Sequence, residues 1–104
     1  MIHVIATIEL KPNCREAYLA VLQKNVPTVK AEAGCLAYEP AVDIDSGLAV
    51  QGAIREDVVT IVEAWEGIER LLAHLKTPHI AAYRDAVADY VENLSVQIMS
   101  PVAR

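Results

Sequence analysis

The segment VVTIVEAWEGIERLLAHLKTPHIAAY, residues 58–83, carries a strand, a short helix and the start of a second helix in one unbroken run. Val58 to Trp65 is dense in Val, Thr and Ile, residues that suit a pleated sheet. Beyond Gly67, Ile68, Leu71, Leu72 and Leu75 recur at helical spacing, which predicts a short helix over Gly67 to Lys76 with these four on one face. Thr77-Pro78 restarts the chain as a second helix, because Thr suits the N-cap and Pro the first helical position. The apolar stripe of that helix is Ile80, Tyr83, Val87, Tyr90 and Val91, close to a 3.6-residue period. Four residues in this run stand out chemically. Glu63 interrupts an apolar strand, where a carboxylate is rare. Trp65 shares its strand face by the two-residue period. His74 flanks the short helix's apolar stripe, about 110° from its centre at ~100° per residue, and so leans toward a pocket edge. His79 sits in the first turn of the next helix, on the same face as Tyr83 four residues later.

Toward the N-terminus, Ile2 to Leu10 alternates as a strand. Ile2, Val4, Ala6, Ile8 and Leu10 lie on one face and His3, Ile5, Thr7 and Glu9 on the other. Lys11-Pro12-Asn13 is a turn, and Asn13 followed by Glu16 resembles a capping box. A helix then runs through Tyr18, Val21, Leu22 and Asn25. Pro27 is expected to kink or locally break it. The segment resumes through Val29 and is expected to end at Gly34 as a C-terminal cap. Cys35 to Val42 reads as the second strand, Asp43 to Gly47 as a polar turn, and Leu48 to Ile54 as a short extra strand. Leu94 to Met99 is the last strand, closed by Pro101. The order strand, helix, strand, strand, helices, strand is that of a split βαβ unit. It predicts one ferredoxin-like α+β domain over residues 1–104, an antiparallel sheet with helices on one face.

Composition narrows the partners. The chain has 104 residues, enough for one domain. Its 54% hydrophobic content exceeds the ~45–50% usual for soluble chains. The surplus is expected to serve a pocket, a partner or both. With apolar residues on both strand faces, the expected partner is a second copy packed sheet to sheet, a homodimer. The net charge of −5 argues against nucleic acid and anionic membranes, which need a basic face. No apolar run approaches the ~18 residues of a membrane span. Met1 to Leu10 lacks the basic start and apolar centre of a signal peptide, so a cytoplasmic location is expected. Cys14 and Cys35 then read as free thiols, and their spacing matches no metal motif. The four glycines are spread singly, with no phosphate-binding loop, and flavin or nicotinamide binding has no support.

The ordered set Glu63-Ala64-Trp65, His74, Thr77-Pro78-His79 and Tyr83 resembles the antibiotic biosynthesis monooxygenase superfamily. Val26-Pro27-Thr28-Val29, Gly34-Cys35, Tyr38 and Pro40 strengthen the likeness, which extends over nearly the whole chain and points to the quinol monooxygenase branch. The resemblance implies a dimeric ferredoxin-like α/β barrel with one pocket per subunit, between sheet and helices. It implies oxidation of dihydroxy-aromatics by O2 without flavin, haem or metal. Haem-degrading relatives carry a Trp near the place of His74 and an iron-binding His near Arg84, and this sequence has neither. Another branch, which isomerises a phosphorylated sugar, shares much of the same pattern.

Cofactor-free oxidation needs a base, a flat apolar slot and few waters. His74 is the candidate base, since imidazole suits proton transfer near neutral pH. Glu63 is the candidate carboxylate to orient it. Trp65 and Tyr83 are candidates to line the slot, and His79 and Tyr38 to bind substrate. No cofactor and no metal are expected; the partners expected are a small aromatic substrate, O2 and a second subunit. Two alternatives stay open. One is a cofactor-free isomerase of a small phosphorylated or polyhydroxy substrate, with Arg84 or Arg70 as anion anchor. The other is a non-enzymatic ligand-binding dimer.

Overall fold

The computed structural model describes residues 1–102. Four strands and three helices follow in the order β1 (Ile2–Leu10), α1 (Arg15–Lys30), β2 (Cys35–Ala41), β3 (Val58–Trp65), α2 (Ile68–Leu75), α3 (Pro78–Val87) and β4 (Val91–Met99). The strands form one antiparallel sheet in the order β2-β3-β1-β4. This is the expected ferredoxin-like arrangement: β1 and β2 flank β3, and β4 pairs with the outer side of β1.

Register decides which side chains meet. Val4 lies opposite Glu63 and Ile98, and Ala6 opposite Ile61 and Val96. Residues directly opposite share a face, so the even-numbered residues of β1 share the helix side with Glu63 and Trp65. Val4, Ala6, Ile8, Val59, Ile61 and Trp65 are buried there, with Tyr18, Leu22 and Val29 of α1 completing the core. The opposite face carries Ile5, Val62 and Met99 among polar neighbours, and Val62 remains 42% exposed.

Several local expectations need correction. Asn13 does not cap α1. It takes a left-handed conformation (φ 64°) at the third position of a turn closed by Cys14 N–H donating to Lys11 O at 3.2 Å, with Pro12 at the second. Asn tolerates that region and Pro favours that place, so the pair builds a turn. Cys14 occupies the N-cap. Pro27 does not break α1, which runs continuously to Lys30. Both Gln23, whose carbonyl loses its donor, and Pro27 are exposed, so water can take up the freed oxygen. The C-cap is Ala31, not Gly34. Gly34 instead has φ 83° in a turn closed by Cys35 N–H on Glu32 O. A Cβ there would lie 2.3 Å from Arg70 Cγ, so only glycine allows α2 to approach.

Leu48 to Ile54 forms no strand. No neighbouring strand takes up its backbone. The loop is pinned by side chains instead: Arg55 grips Asp43 with two N–H···O bonds of 2.8 and 2.9 Å, and Gln51 bonds Ser46 and Ile44 O. The guanidinium holds the Asp43 carboxyl down at about 2. On α2 the buried residues are Leu71 and His74, while Ile68, Leu72 and Leu75 remain more than two-fifths exposed. The predicted apolar face is therefore split, because α2 meets the sheet only along a narrow line. Finally, α3 ends at Val87 and β4 begins at Val91, so Tyr90 and Val91 reach the core from a turn and a strand. Leu10 pairs with Val91 and draws that backbone into the sheet.

Candidate active site

A cavity of about 540 Å³ lies between the helix-facing side of the sheet and helices α2 and α3. Most of its wall is aliphatic, with Val4, Ala6, Ile8, Ile61, Leu71 and Val87 prominent. Five residues bring polar chemistry to it: Tyr38, Glu63, His74, Tyr83 and Arg84. Along β4, the lining residues Leu94, Val96 and Ile98 stay about half-exposed, so the cavity opens on that side.

Glu63 and Trp65 share a face, as the strand period requires. The Trp65 indole N–H donates to Glu63 Oε1 at 2.9 Å. Glu63 is only 6% exposed, and burial pushes its carboxyl up, with the nearby Glu32 charge adding and the indole N–H opposing. Trp65 does not line the slot. It is wholly buried behind the wall, with its ring centroid 4.7 Å from that of His74. The strand turns it toward the core, where it supports the imidazole from behind.

His74 is 4% exposed and lies on the cavity wall. The carboxylate bonded to it is not Glu63. His74 Nδ1 meets Glu32 Oε2 at 2.8 Å, while Glu63 is engaged by Trp65. Nε2, the other ring nitrogen of His74, has no hydrogen-bond partner among the described residues. His79 does not reach the cavity wall. Its Nε2 bonds the same Glu32 Oε2, also at 2.8 Å. The α2–α3 junction holds both rings in place. Thr77 Oγ1 donates to His74 O at 2.8 Å and accepts from Ile80 N–H at 3.4 Å, the expected N-cap bond.

Glu32 is the residue that sequence reasoning missed. It stands two positions before Gly34-Cys35, but a carboxylate at a helix end ordinarily reads as solvated. Glu32, His74 and His79 also form the one group of at least three metal-ligand side chains found among the described residues, with their donor atoms within 4.8 Å of one another. Two imidazoles and a carboxylate suit zinc or iron in composition. Here the three are bonded to each other through Oε2.

The two candidate tyrosines both reach the cavity. The Tyr38 ring packs edge-on against His74, with centroids 5.8 Å apart. The Tyr83 hydroxyl bonds that of Tyr18. Burial pushes both the Tyr38 and the Tyr83 phenol up, so each remains a neutral O–H group at ordinary pH. Arg84 lines the cavity, whereas Arg70 packs over Gly34 and pairs with Glu66 at 3.6 Å.

The fold and site together define a ferredoxin-like α+β domain with a buried imidazole and a buried carboxyl in an apolar cavity. Residues 1–86 match the family described as antibiotic biosynthesis monooxygenase. The chain is 41% identical over 103 residues to a protein of Escherichia coli K12 named "Probable quinol monooxygenase YgiN", covering 97% of this chain and 98% of that protein. The chain therefore belongs to the antibiotic biosynthesis monooxygenase family. Among solved structures, the Pseudomonas aeruginosa protein PA3566 superposes with a TM-score of 0.80 at 24% identity, over 98% of this chain and 94% of its own. Rv0793 of Mycobacterium tuberculosis superposes at 0.79 and 23% identity, over 99% and 96%. At these identities the likeness is one of fold. Among the described residues no helix is long and apolar enough to cross a membrane.

Proposed function

We propose that this protein is a cofactor-independent monooxygenase that oxidises quinols or related hydroxy-aromatics with O2. One observation carries the reading: His74, on the wall of an aliphatic cavity large enough for a fused aromatic ring, keeps a second ring nitrogen without a hydrogen-bond partner among the described residues. His74 is the base. It takes the proton of one substrate hydroxyl, because the hydroquinone anion gives an electron to O2 far more readily than the neutral molecule. Glu63 and the Tyr38 and Tyr83 hydroxyls meet the second hydroxyl. In the overall reaction one oxygen atom replaces a ring hydrogen and the other leaves as water. The hydroquinone supplies all four electrons and becomes a hydroxyquinone. The family and the named relative support this class of reaction.

The isomerase alternative has Arg84 in its favour, but a phosphorylated polyhydroxy substrate would leave most of its polar groups against aliphatic walls, which costs free energy. The ligand-binding alternative differs in having no turnover. The same protein is proposed to act as a homodimer, with the sheet face bearing Ile5, Val62 and Met99 packed against a second copy. Sedimentation of a monomer at micromolar concentration would argue against that.

The test is oxygen uptake with anaerobically prepared menadiol. The full chain should exceed autoxidation, and His74→Ala should lose about 10²–10⁴-fold, the range of general base catalysis. Uptake equal to autoxidation would remove the quinol reading, and an unaffected variant would remove His74 as base.

A further inference from the structure

We propose that Glu32 is the positioning residue of this site, holding His74 in the tautomer whose Nε2 lone pair faces the cavity. The inference rests on His74 being the base in the reaction above, and it deepens that reading. A neutral imidazole has one N–H and one bare nitrogen, and an ionised carboxylate can only accept. The His74 nitrogen that meets Glu32 therefore carries the proton. That nitrogen is Nδ1, at 2.8 Å from Oε2, so Nε2 is left bare. In water a histidine side chain favours the opposite form, with the proton on Nε2. That form would turn an N–H toward the substrate hydroxyl and could not take its proton. Glu32 reverses this preference, and it also offsets the charge of the imidazolium that proton transfer creates, the logic of a carboxylate–histidine pair in hydrolases.

The fold places Glu32 with little freedom. The turn from Glu32 to Cys35 follows directly on the Ala31 cap of α1, and Cys35 N–H donates to Glu32 O at 3.2 Å. Gly34 within it lets Arg70 of α2 lie where any side chain would collide. The turn and α2 are thus pressed together, and α2 carries His74. His79 is the second arm. Its Nε2 bonds the same Oε2 at 2.8 Å, so the carboxylate oxygen is tied from two sides. Neither Glu32 nor His79 lines the cavity, so both stand behind the wall that a substrate would meet.

The experiment uses full-length protein labelled with ¹⁵N and reads the ring nitrogens of His74 directly. The wild type should show Nδ1 protonated and Nε2 bare. Glu32→Met keeps the side chain's length and removes the acceptor. It should shift His74 toward the Nε2–H form and lower kcat about 10–100-fold, a share of what the base itself contributes. KM should stay within about threefold, because Glu32 does not line the cavity. Glu32→Gln retains an accepting oxygen and should recover most of the tautomer signal and part of the rate. Should Glu32→Met fail to fold by circular dichroism, Glu32→Ala repeats the test. A variant without an acceptor that keeps the Nδ1–H signature would overturn the proposal, as would kcat within twofold of wild type or a change in KM alone. A wild type with no oxygen uptake would sink the quinol reading, while the nitrogen spectrum would still decide where Glu32 puts the proton.

Discussion

Trp65→Phe tests whether the wall behind the imidazole is built as the structure shows. Two losses add. The first is volume: phenylalanine leaves roughly 40 Å³ unfilled at a fully buried position, which at ~24 cal/mol per Å³ costs about 1 kcal/mol. The second is the indole N–H, which donates to Glu63 Oε1 at 2.9 Å. Phenylalanine cannot replace it, and a buried acceptor left unpaired costs about 1–3 kcal/mol. The sum is about 2–4 kcal/mol, a large share of the ~5–15 kcal/mol that holds a domain folded. At ~4–8 °C per kcal/mol for a chain of this size, Tm should fall by roughly 10–30 °C. Urea unfolding followed by far-ultraviolet circular dichroism is the assay, because Trp65 is the one tryptophan and the variant has no indole fluorescence. Combining it with Glu63→Leu removes acceptor and donor together. The double variant should cost at least about 1 kcal/mol less than the two single costs summed. A loss below about 1 kcal/mol for Trp65→Phe, or strict additivity in the pair, would refute the bond as a stabilising contact.

Glu63→Gln should gain stability relative to wild type as pH rises. Burial holds the folded-state carboxyl above its ordinary value of 4.5, so the folded chain disfavours ionisation, and wild-type stability is lost as pH climbs from about 4.5 through the folded pKa. The Tm difference between variant and wild type should be flat below about pH 4.5 and grow in the variant's favour above it; a difference constant from about pH 4 to 8 would contradict this. Val62→Lys sets a charge opposite Ile5 on the bare sheet face. Sedimentation should show the proposed dimer dissociating while circular dichroism stays native, and an undisturbed dimer would place the interface elsewhere.

The local code was readable wherever a short-range rule had no competitor. The β-branched run from Val58, the alternation of Ile2 to Leu10 and the Thr77-Pro78 helix start all formed as their residues dictate, and their order alone implied the ferredoxin-like sheet. So did the shared face of Glu63 and Trp65, since a two-residue period leaves no choice. The failures came where a local signal could be satisfied in two ways. Asn13 could cap a helix or close a turn, and the turn prevailed. Leu48 to Ile54 had strand character but no strand beside it to bond. The apolar residues of α2 outnumber the places the sheet offers them, so Leu71 and His74 took the inside. The site divides along the same line. Sequence by itself determined which side chains share a strand or helix face, because backbone geometry repeats over a few residues. Only the tertiary structure decided that Glu32 rather than Glu63 holds His74, and that Trp65 supports the pocket from behind. Glu32 and His74 lie 42 residues apart along the chain, and no periodicity reaches that far; only the packing of α2 over the Gly34 turn brings them together.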